Sequence, residues 1–304
     1  MNIIARRKLW YTISLSVLVP AVIVLAGFGL RLGIDFTGGS ILEVRGASRE
    51  QALAVAESQS LQNVTVTTSG DDTILLRYRL PETAADDTQT QLETELTDQP
   101  AEIISFNEVG PSVSGDLVKN AIYAITAMSL AIVAYITWVF RRVPSGVSAL
   151  SFGLTAIAAL LHDALFVLGV FALLGWLFKV EVDSYIVTAI LTVIGFSVHD
   201  TIVVFDRIRE NLGRSQDNFE KLVNTSLQET LVRSLNTSLV VVFVLLALFL
   251  FGGTSTRYFV LALLLGMIAG TYSSLFVAAP LLVSWHNRRH KRLRRRAATA
   301  AKPN

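Results

Sequence analysis

The chain contains no cysteine, and the motifs that mark common enzyme classes are also missing. The absence of cysteine among 304 residues excludes disulfides, thiol catalysis and cysteine-ligated metal sites. No Walker A, G-x-S-x-G or H-E-x-x-H sequence is present, so the usual signatures of nucleotide hydrolysis, serine hydrolysis and zinc proteolysis are lacking. Charged residues make up only 16% of the chain. We therefore expect a protein that is not an enzyme and that has neither a cofactor nor a metal site.

Hydrophobic residues make up 52% of the chain, and the mean hydropathy is +0.53. These values predict a polytopic membrane protein. The first apolar stretch follows Arg6, Arg7 and Lys8 and extends for about 20 residues, which is longer than the roughly 7–15 residues of a signal-peptide core. We interpret it as an uncleaved first span. Five more stretches are long enough to cross a bilayer as helices, at 118–140, 149–178, 185–205, 235–251 and 258–285.

The positive charges predict an orientation for these six spans. With the N-terminus in the cytoplasm, the segments 1–10, 141–147, 206–233 and 286–304 hold 18 of the 26 Lys and Arg residues. This agrees with the positive-inside rule. Both termini are therefore predicted to be cytoplasmic, and the acidic stretch 31–116, with a net charge of −10, is predicted to be external.

The stretch 31–116 reads as one small α+β domain. Strands are predicted at 41–45, 63–68, 73–80 and 101–109, with helices at 48–59 and 83–96. This β-α-β-β-α-β order is the ferredoxin-like arrangement. Ser48 and Gln51 have the spacing of a capping box at the first helix. The remaining regions are 1–30 with the first span, 117–285 with spans two to six, and a basic tail at 286–304.

Two cytoplasmic features lie outside the spans. The stretch 215–231 has apolar residues at helical spacing and is predicted to lie along the inner membrane surface, leading to Arg233 at the foot of span five. Arg233 could extend to water or lipid phosphate, or could pair with Asp200 if the fifth span is tilted or water intervenes. The tail is best explained as a topology anchor, although it could also attract anionic lipid or ribosomal RNA.

Asp200 is the one charged residue within span four. It lies six residues before Asp206, the start of the charged boundary, and hence roughly 9 Å inside it at 1.5 Å per residue. A carboxylate at that depth lines a cavity, has a partner, or takes up a proton. Because intramembrane ionisable groups are functional sites by default, Asp200 is our candidate proton carrier. The alternative is a structural hydrogen-bonding role between packed helices.

Two His-Asp dipeptides occur in the spans, His162-Asp163 and His199-Asp200. Neighbouring residues on a helix point roughly 100° apart, so neither dipeptide is a good chelator. One member of each pair is expected to face the bundle interior as a relay or hydrogen-bonding group. Asp163 could be a secondary station, and a structural role is at least as plausible. Hydroxyl and amide side chains that could line a wet path, or simply bond between helices, are Thr188, Thr192, Ser197, Thr201, Ser234, Asn236, Thr237 and Ser238.

Three separated motifs resemble those of the SecF family. They are G-I-D-F-T-G-G starting at Gly33, G-P-S-V-S-G starting at Gly110, and the stretch 195–211. SecF-type proteins are the smaller membrane subunits of the SecDF accessory complex of the bacterial Sec protein translocase, within the RND superfamily. The resemblance covers residues 1–285, and the basic tail is not part of it.

The resemblance implies a six-span half of a twelve-span unit with SecD, in the bacterial cytoplasmic membrane. It implies the Sec translocon and preproteins as further partners, besides membrane lipids and without nucleic acid, and protons as the coupling ion. The family's proton-transport Asp and Arg correspond here to Asp200 and Arg233. The first two motifs flank the external domain, and these junction motifs could act as hinges or fix tight packing. Their residues are Gly33, Asp35, Gly38, Gly39, Gly110, Pro111 and Gly115.

The sequence is therefore compatible with three functions. The first is a proton-motive-force-driven subunit that assists preprotein translocation. The second is a passive scaffold that stabilises the translocon, with Asp200 only structural. The third is half of an RND-type exporter of small molecules or lipids.

Overall fold

The computed structural model describes residues 2–58, 61–68, 73–79, 102–143, 147–214, 217–253 and 256–300. The chain divides into two compact units. The membrane unit consists of Met1–Arg31, Tyr123–Val180 and Tyr185–Asn304, and the α+β unit consists of Leu32–Ile122 and Glu181–Ser184.

The described elements follow one another in chain order. The bounds are α1 Arg7–Phe28, α2 Ile34–Thr37, β1 Gly39–Arg45, α3 Arg49–Ser58, β2 Gln62–Thr68, β3 Thr73–Arg79, β4 Glu102–Val109, α4 Pro111–Val139, α5 Ala149–Phe178, α6 Ser184–Arg214, α7 Phe219–Phe251, α8 Arg257–Ser273 and α9 Ala279–Ala300. A 3₁₀ turn, Phe140–Arg142, follows α4, and a π-helical segment, Ser274–Ala278, joins α8 to α9.

Six helices in the described ranges are long and apolar enough to cross a membrane, which confirms the predicted number. The sixth is formed by α8, the π-helical segment and the start of α9 together. In the 18-residue apolar stretch of each helix, 6% of the residues are buried in α1 and in α4, compared with 50% in α6 and 61% in the sixth helix. The interior of the membrane unit is therefore built around α6 and the sixth helix. The outer helices present the extended apolar surface that contact with lipid or another membrane protein requires.

The prediction of a separate surface helix at 215–231 is wrong. The helix α7 runs without a break from Phe219 to Phe251, so this stretch continues directly into the fifth span. The side chain of Asn224 accepts the backbone N–H groups of Ile3 and Ile4 at 2.7 and 3.3 Å, which holds the N-terminus against α7. The amphipathic pattern reflects packing on protein rather than on lipid, because the apolar face is buried at Phe219, Leu222, Val223 and Leu227.

Two close helix contacts depend on small residues. A Cβ atom at Gly169 of α5 would lie 2.7 Å from both the Cα and the carbonyl oxygen of Ala21, so α1 and α5 meet backbone to backbone. A Cβ atom at Gly270 of α8 would lie 2.9 Å from the Cβ of Ser197 on α6. With Gly266, which faces Val193 in the same way, Gly270 forms a G-x-x-x-G contact whose partner is α6.

The α+β unit contains a four-stranded antiparallel sheet of order β2-β3-β1-β4. This is the strand order of a ferredoxin-like domain, and α3 packs beside it at the predicted place. The capping box is confirmed, because Gln51 N–H donates to Ser48 Oγ at 3.2 Å and Ser48 N–H donates to Gln51 Oε1 at 2.7 Å. The predicted helix at 83–96 lies outside the described residues. The core alternates along the strands as a half-buried sheet requires, with Leu42, Val44, Ile74, Leu76 and Tyr78 buried.

The glycine contact between α1 and α5 gives a stability prediction. We expect Gly169→Ala to destabilise the protein, because its methyl group would overlap the Ala21 backbone, which cannot rotate away as a side chain can. Overpacking of this kind typically costs about 1–3 kcal/mol. The measurement is thermal unfolding of the purified protein in detergent.

The matched control is Gly27→Ala near the end of α1, where an added Cβ would meet nothing within 4 Å. Because alanine favours a helix over glycine by about 1 kcal/mol, this variant should be neutral or more stable. Equal stabilities of the two variants would show that the backbone contact has been misjudged.

Candidate functional site

Asp200 lies on the buried side of α6, with 7% of its surface exposed. Its Oδ2 accepts a hydrogen bond of 3.2 Å from the hydroxyl of Ser238, which lies on α7. The other oxygen, Oδ1, is 3.7 Å from Nδ1 of His199, whose own side chain is 69% exposed. The carboxyl group therefore links α6 to α7 through one hydroxyl donor and has a histidine beside it.

A cleft of about 390 Å³ opens beside this carboxyl group. It combines apolar walls with hydroxyl groups, and its lining residues include Asp200, His199, Thr192, Thr237 and Ser238. Asp200 is thus buried in protein and still borders an open space, which is the position that a group exchanging protons needs.

Arg233 does not pair with Asp200 in this structure. Its side chain is exposed, and it forms no ion pair within the described ranges. It lies five residues before Ser238 on α7, which corresponds to about 7.5 Å along the helix. The local partner of the Asp200 carboxyl is therefore a serine, and the role of Arg233 stays a prediction.

Asp163 is enclosed more completely than Asp200. It has no exposed surface, and its Oδ2 accepts the hydroxyls of Ser197 at 2.6 Å and of Ser273 at 2.7 Å. Its Oδ1 is 3.1 Å from Nδ1 of His162. This carboxyl joins α5 to α6 and α8, so its surroundings resemble those of a structural hydrogen-bonding group.

The two carboxyl groups are organised by one turn of α6. Ser197, which donates to Asp163, lies three residues before Asp200, or about 4.5 Å along the axis. The close approach of Gly270 to Ser197 brings α8 near enough for Ser273 to reach the same carboxyl. A layer of hydrogen bonds therefore connects α5, α6 and α8 on one side, and α6 with α7 on the other.

The two His-Asp pairs follow the expectation that one member faces inward. In both, the aspartate is buried, and His199 points outward. His162 is more enclosed, with 12% of its side chain exposed. Across the described part of the chain, no group of three His, Asp or Glu side chains is arranged to hold a metal ion.

The first junction motif is bonded to the start of α6. Asp35 Oδ2 accepts the backbone N–H of Ser184 at 2.8 Å and its hydroxyl at 2.5 Å. Gly33 N–H donates to the carbonyl of Val182 at 2.8 Å. Since Ser184 is the first residue of α6, Asp35 supplies the capping acceptor that a helix N-terminus needs.

Glycine is required at two positions of this motif. Gly38 has φ +70° and Gly39 has φ +130°, which side-chain-bearing residues rarely adopt. A Cβ atom at Gly39 would also lie 2.9 Å from the carbonyl oxygen of Tyr78 on β3. These glycines allow the chain to turn sharply from α2 into β1, which fits the packing interpretation at this junction.

The second junction motif is less crowded. Pro111 begins α4, where the missing N–H of proline leaves no helical bond unmade. Gly110 accepts the N–H of Ser114 at 3.0 Å. Added Cβ atoms at Gly110 and Gly115 would meet nothing within 4 Å in the described part of the chain, so packing does not explain these glycines. Their hinge role stays a prediction.

Several residues of the site were not identified from the sequence. Ser273 has no local signal, because only the fold brings α8 beside Asp163. Ser184 could have been noticed as a serine just before an apolar run, which is an N-cap signal. The ion pair between Arg77 of β3 and Glu181 is a long-range contact that sequence spacing does not reveal.

Two family profiles match this chain. The profile described as "Protein export membrane protein SecD/SecF, C-terminal" matches residues 88–288 and includes both buried carboxyl groups. The profile described as "SecD/SecF GG Motif" matches residues 23–46 and includes Asp35.

Relatives and solved structures agree with these profiles. The protein translocase subunit SecF of Thermobaculum terrenum is 46% identical over 99% of both chains. The SecDF subunit of Bacillus subtilis is 35% identical over 95% of this chain and 38% of its own length. The crystal structure of SecDF from Thermus thermophilus, described as a translocon-associated membrane protein, is similar with a TM-score of 0.81 at 30% identity. That match covers 94% of this chain and 39% of that one.

The enclosure of Asp163 leads to a stability prediction. We expect Asp163→Ala to destabilise the protein, because the buried hydroxyl of Ser197 would lose its acceptor and that of Ser273 would retain only the Gly270 carbonyl. One buried hydroxyl left without an acceptor costs about 1–3 kcal/mol. Asp163→Asn retains an acceptor oxygen and should be closer to the parent protein in a thermal unfolding measurement. If the alanine and asparagine variants were equally stable, the two serine bonds would not be what holds this region.

The Asp35–Ser184 contact can be tested by a double-mutant cycle. Asp35→Ala should destabilise the protein by about 1–2 kcal/mol, the usual range for a lost helix cap. Ser184→Ala should cost less, because the backbone N–H still reaches Asp35. The double variant should be more stable than the sum of the two single-variant losses of stability predicts. Asp116→Ala, which removes an exposed carboxylate, is the control. Strictly additive effects of the Asp35 and Ser184 substitutions would argue against the bond between these residues.

Proposed function

Because this chain belongs to the SecD/SecF family of protein export membrane proteins, we propose that it is a proton-driven subunit that helps preproteins cross the bacterial cytoplasmic membrane. Its family gives it a role in protein translocation, as a multi-pass membrane protein of a non-enzymatic kind. The coupling to protons, with no other cofactor, and the contact with preprotein belong to the proposal.

SecD is the partner that the comparisons support. In Bacillus subtilis and Thermus thermophilus the matching region is 38–39% of a longer SecDF chain. We propose that this chain assembles with a separate SecD and, through it, with the Sec translocon channel. The apolar outer surfaces of α1 and α4 offer area for SecD and for membrane lipids.

The proposed location is the bacterial cytoplasmic (inner) membrane with both termini in the cytoplasm. The distribution of Lys and Arg supports this, with 18 of 26 in the segments placed inside. The α+β unit would then lie outside the cytoplasm, where a translocating preprotein emerges.

The observation that carries the proposal is the contrast between the two buried carboxyl groups. Asp163 is fully enclosed and accepts two hydroxyls on one oxygen. Asp200 accepts one hydroxyl and borders a cleft. A proton carrier must be reachable and must tolerate both charge states, so Asp200 is the better candidate, and Asp163 with His162 and His199 would support it.

The coupling step follows from the Asp200–Ser238 contact. Protonation of Asp200 removes a buried charge and weakens its attraction for the Ser238 hydroxyl, so the α6–α7 contact loosens. A hydrogen bond to a charged group contributes about 1.5–3 kcal/mol. A proton crossing 100 mV supplies about 2.3 kcal/mol. Because the two energies are comparable, the membrane potential is sufficient to shift this equilibrium.

The α6 helix offers a route by which such a change reaches the α+β unit. Asp200 lies sixteen residues after Ser184, or about 24 Å along α6. Ser184 is bonded to Asp35, and the neighbouring Glu181 is paired with Arg77 of β3. A displacement of α6 along its axis would therefore act on Ser184 and on its bond to Asp35.

Arg233 is a positive charge on α7, the helix whose contact with α6 changes when Asp200 is protonated. It lies on α7, and Ser238 is the contact of α7 with Asp200. When the α6–α7 contact changes, Arg233 moves with α7, and it then approaches or leaves the proton path.

The decisive experiment is the export of a secreted reporter by inverted vesicles that carry Asp200→Asn. Asparagine preserves the shape and the Ser238 contact but cannot carry a proton. We expect the part of export that depends on the proton gradient to fall to the level seen without a gradient. Arg233→Gln should give the same loss.

The matched control is Asp206→Asn, an exposed position on the same helix, which should export normally. The membrane level and SecD association of each variant are measured alongside. Unchanged gradient-dependent export with Asp200→Asn in an intact complex would refute proton transport at this site and leave the passive scaffold. Transport of a small molecule or lipid without any effect on export would favour the exporter.

A further inference from the structure

The first four turns of α9 carry a basic face that the proton path does not use. Trp285, Arg288, Arg289 and Arg292 recur at spacings of three, four and seven residues, so they project from one side of the helix. The three arginines are exposed, and Trp285 is 47% exposed. This side of α9 lies beside the beginning of α5 in the membrane unit.

These residues line a cleft of about 530 Å³ between α9 and the start of α5. The α5 side contributes Leu150 and Leu154, with Ser148 and Ser151 at the helix start. The described lining of the cleft includes three guanidinium groups and no carboxylate. Its composition is therefore suited to a ligand with an anionic end and an apolar end.

The arginines of this cleft lack acidic partners. Among the described residues, none of Arg288, Arg289 and Arg292 forms an ion pair, and the sequence contains no Asp or Glu after Glu229. A second basic cleft near Arg7 differs, because Glu220 lies within it and is bonded to Arg7 at 3.0 Å and to Asn287 at 2.6 Å. Of these two clefts, the α5–α9 cleft is thus the one whose described lining contains no carboxylate.

An apolar track leads away from the cleft along α5. Leu150, Leu154, Ile157 and Leu161 are spaced as one helix face, and all four are exposed or half-buried. Since α5 is one of the six helices that are long and apolar enough to span a membrane, this track would lie in the hydrocarbon region. The basic cleft at its end would lie at headgroup level, where a tryptophan such as Trp285 is favoured.

We propose that the α5–α9 cleft is a binding site for an anionic phospholipid. Its phosphate is held by Arg288, Arg289 and Arg292, and one acyl chain lies along Leu150, Leu154 and Leu161. Arginine is suited to this role because its planar guanidinium group can donate two parallel hydrogen bonds to a phosphate. Basic pockets between membrane helices are a recurrent form of lipid headgroup site.

This proposal differs from a general attraction of the tail to the membrane. The tail also contains Arg294, Arg295 and Arg296, which follow Arg292, the last described residue of the cleft, in the sequence. If only net charge mattered, these three would contribute as much as the three cleft arginines. The cleft therefore predicts an unequal effect of two substitutions that remove the same charge.

The test is lipid binding by the full-length protein, measured by native mass spectrometry during titration with phosphatidylglycerol or phosphatidylcholine. The site variant is R288Q/R289Q/R292Q, and the control is R294Q/R295Q/R296Q. We expect the parent protein and the control to bind one phosphatidylglycerol in preference to phosphatidylcholine. The site variant should bind phosphatidylglycerol about a hundredfold more weakly, since each of the three basic residues near an anionic headgroup contributes about fivefold.

Each other outcome would overturn the proposal. Equal weakening in the two triple variants would indicate diffuse tail charge, and no weakening would exclude the cleft. If RNA co-purified with the parent protein and not with the site variant, the arginines would be assigned to nucleic-acid binding instead. Thermal unfolding without added lipid checks that the variants fold. If the site variant is not recovered, the single variants R288Q, R289Q and R292Q replace it, each expected to bind about fivefold more weakly.

Discussion

A carboxyl group inside a membrane helix must find a partner, and this requirement organises the membrane unit around α6. Asp200 meets it through Ser238 of α7, and Ser197 of the same helix serves Asp163 of α5. The glycines of α8 allow Ser273 to complete the second group. Half of the apolar window of α6 is buried as a result, whereas α1 and α4 remain on the outside. The most polar of the spanning helices is therefore central.

Much of this arrangement could be predicted from local patterns. Six apolar stretches predicted the number of spans, and alternating apolar residues predicted the four strands of the sheet. Each of these signals depends on residues that are close in the sequence. The capping box of Ser48 and Gln51 is the clearest case, because both of its hydrogen bonds are present as the spacing requires.

The remaining features depend on which elements become neighbours, and no local pattern contains that information. The amphipathic stretch 215–231 looked like a surface helix because apolar periodicity does not distinguish lipid from protein as the covering material. Asp163 and Asp200 had similar sequence surroundings, yet only the packing of α8 encloses the former. Sequence spacing also did not indicate that Ser238, five residues after Arg233 on α7, would be the residue that bonds to Asp200.

The π-helical segment Ser274–Ala278 determines how the two halves of the sixth helix are rotated relative to each other about the helix axis. A π turn holds one more residue than the ideal helix, which offsets the following residues by about 100°. The face of α8 that meets α6 is thereby uncoupled from the face of α9 that carries Trp285 and the arginines. Each half can be aligned with its own neighbour although the backbone is continuous. Removing one residue from this segment would bring the halves back into phase and turn the basic face away from α5.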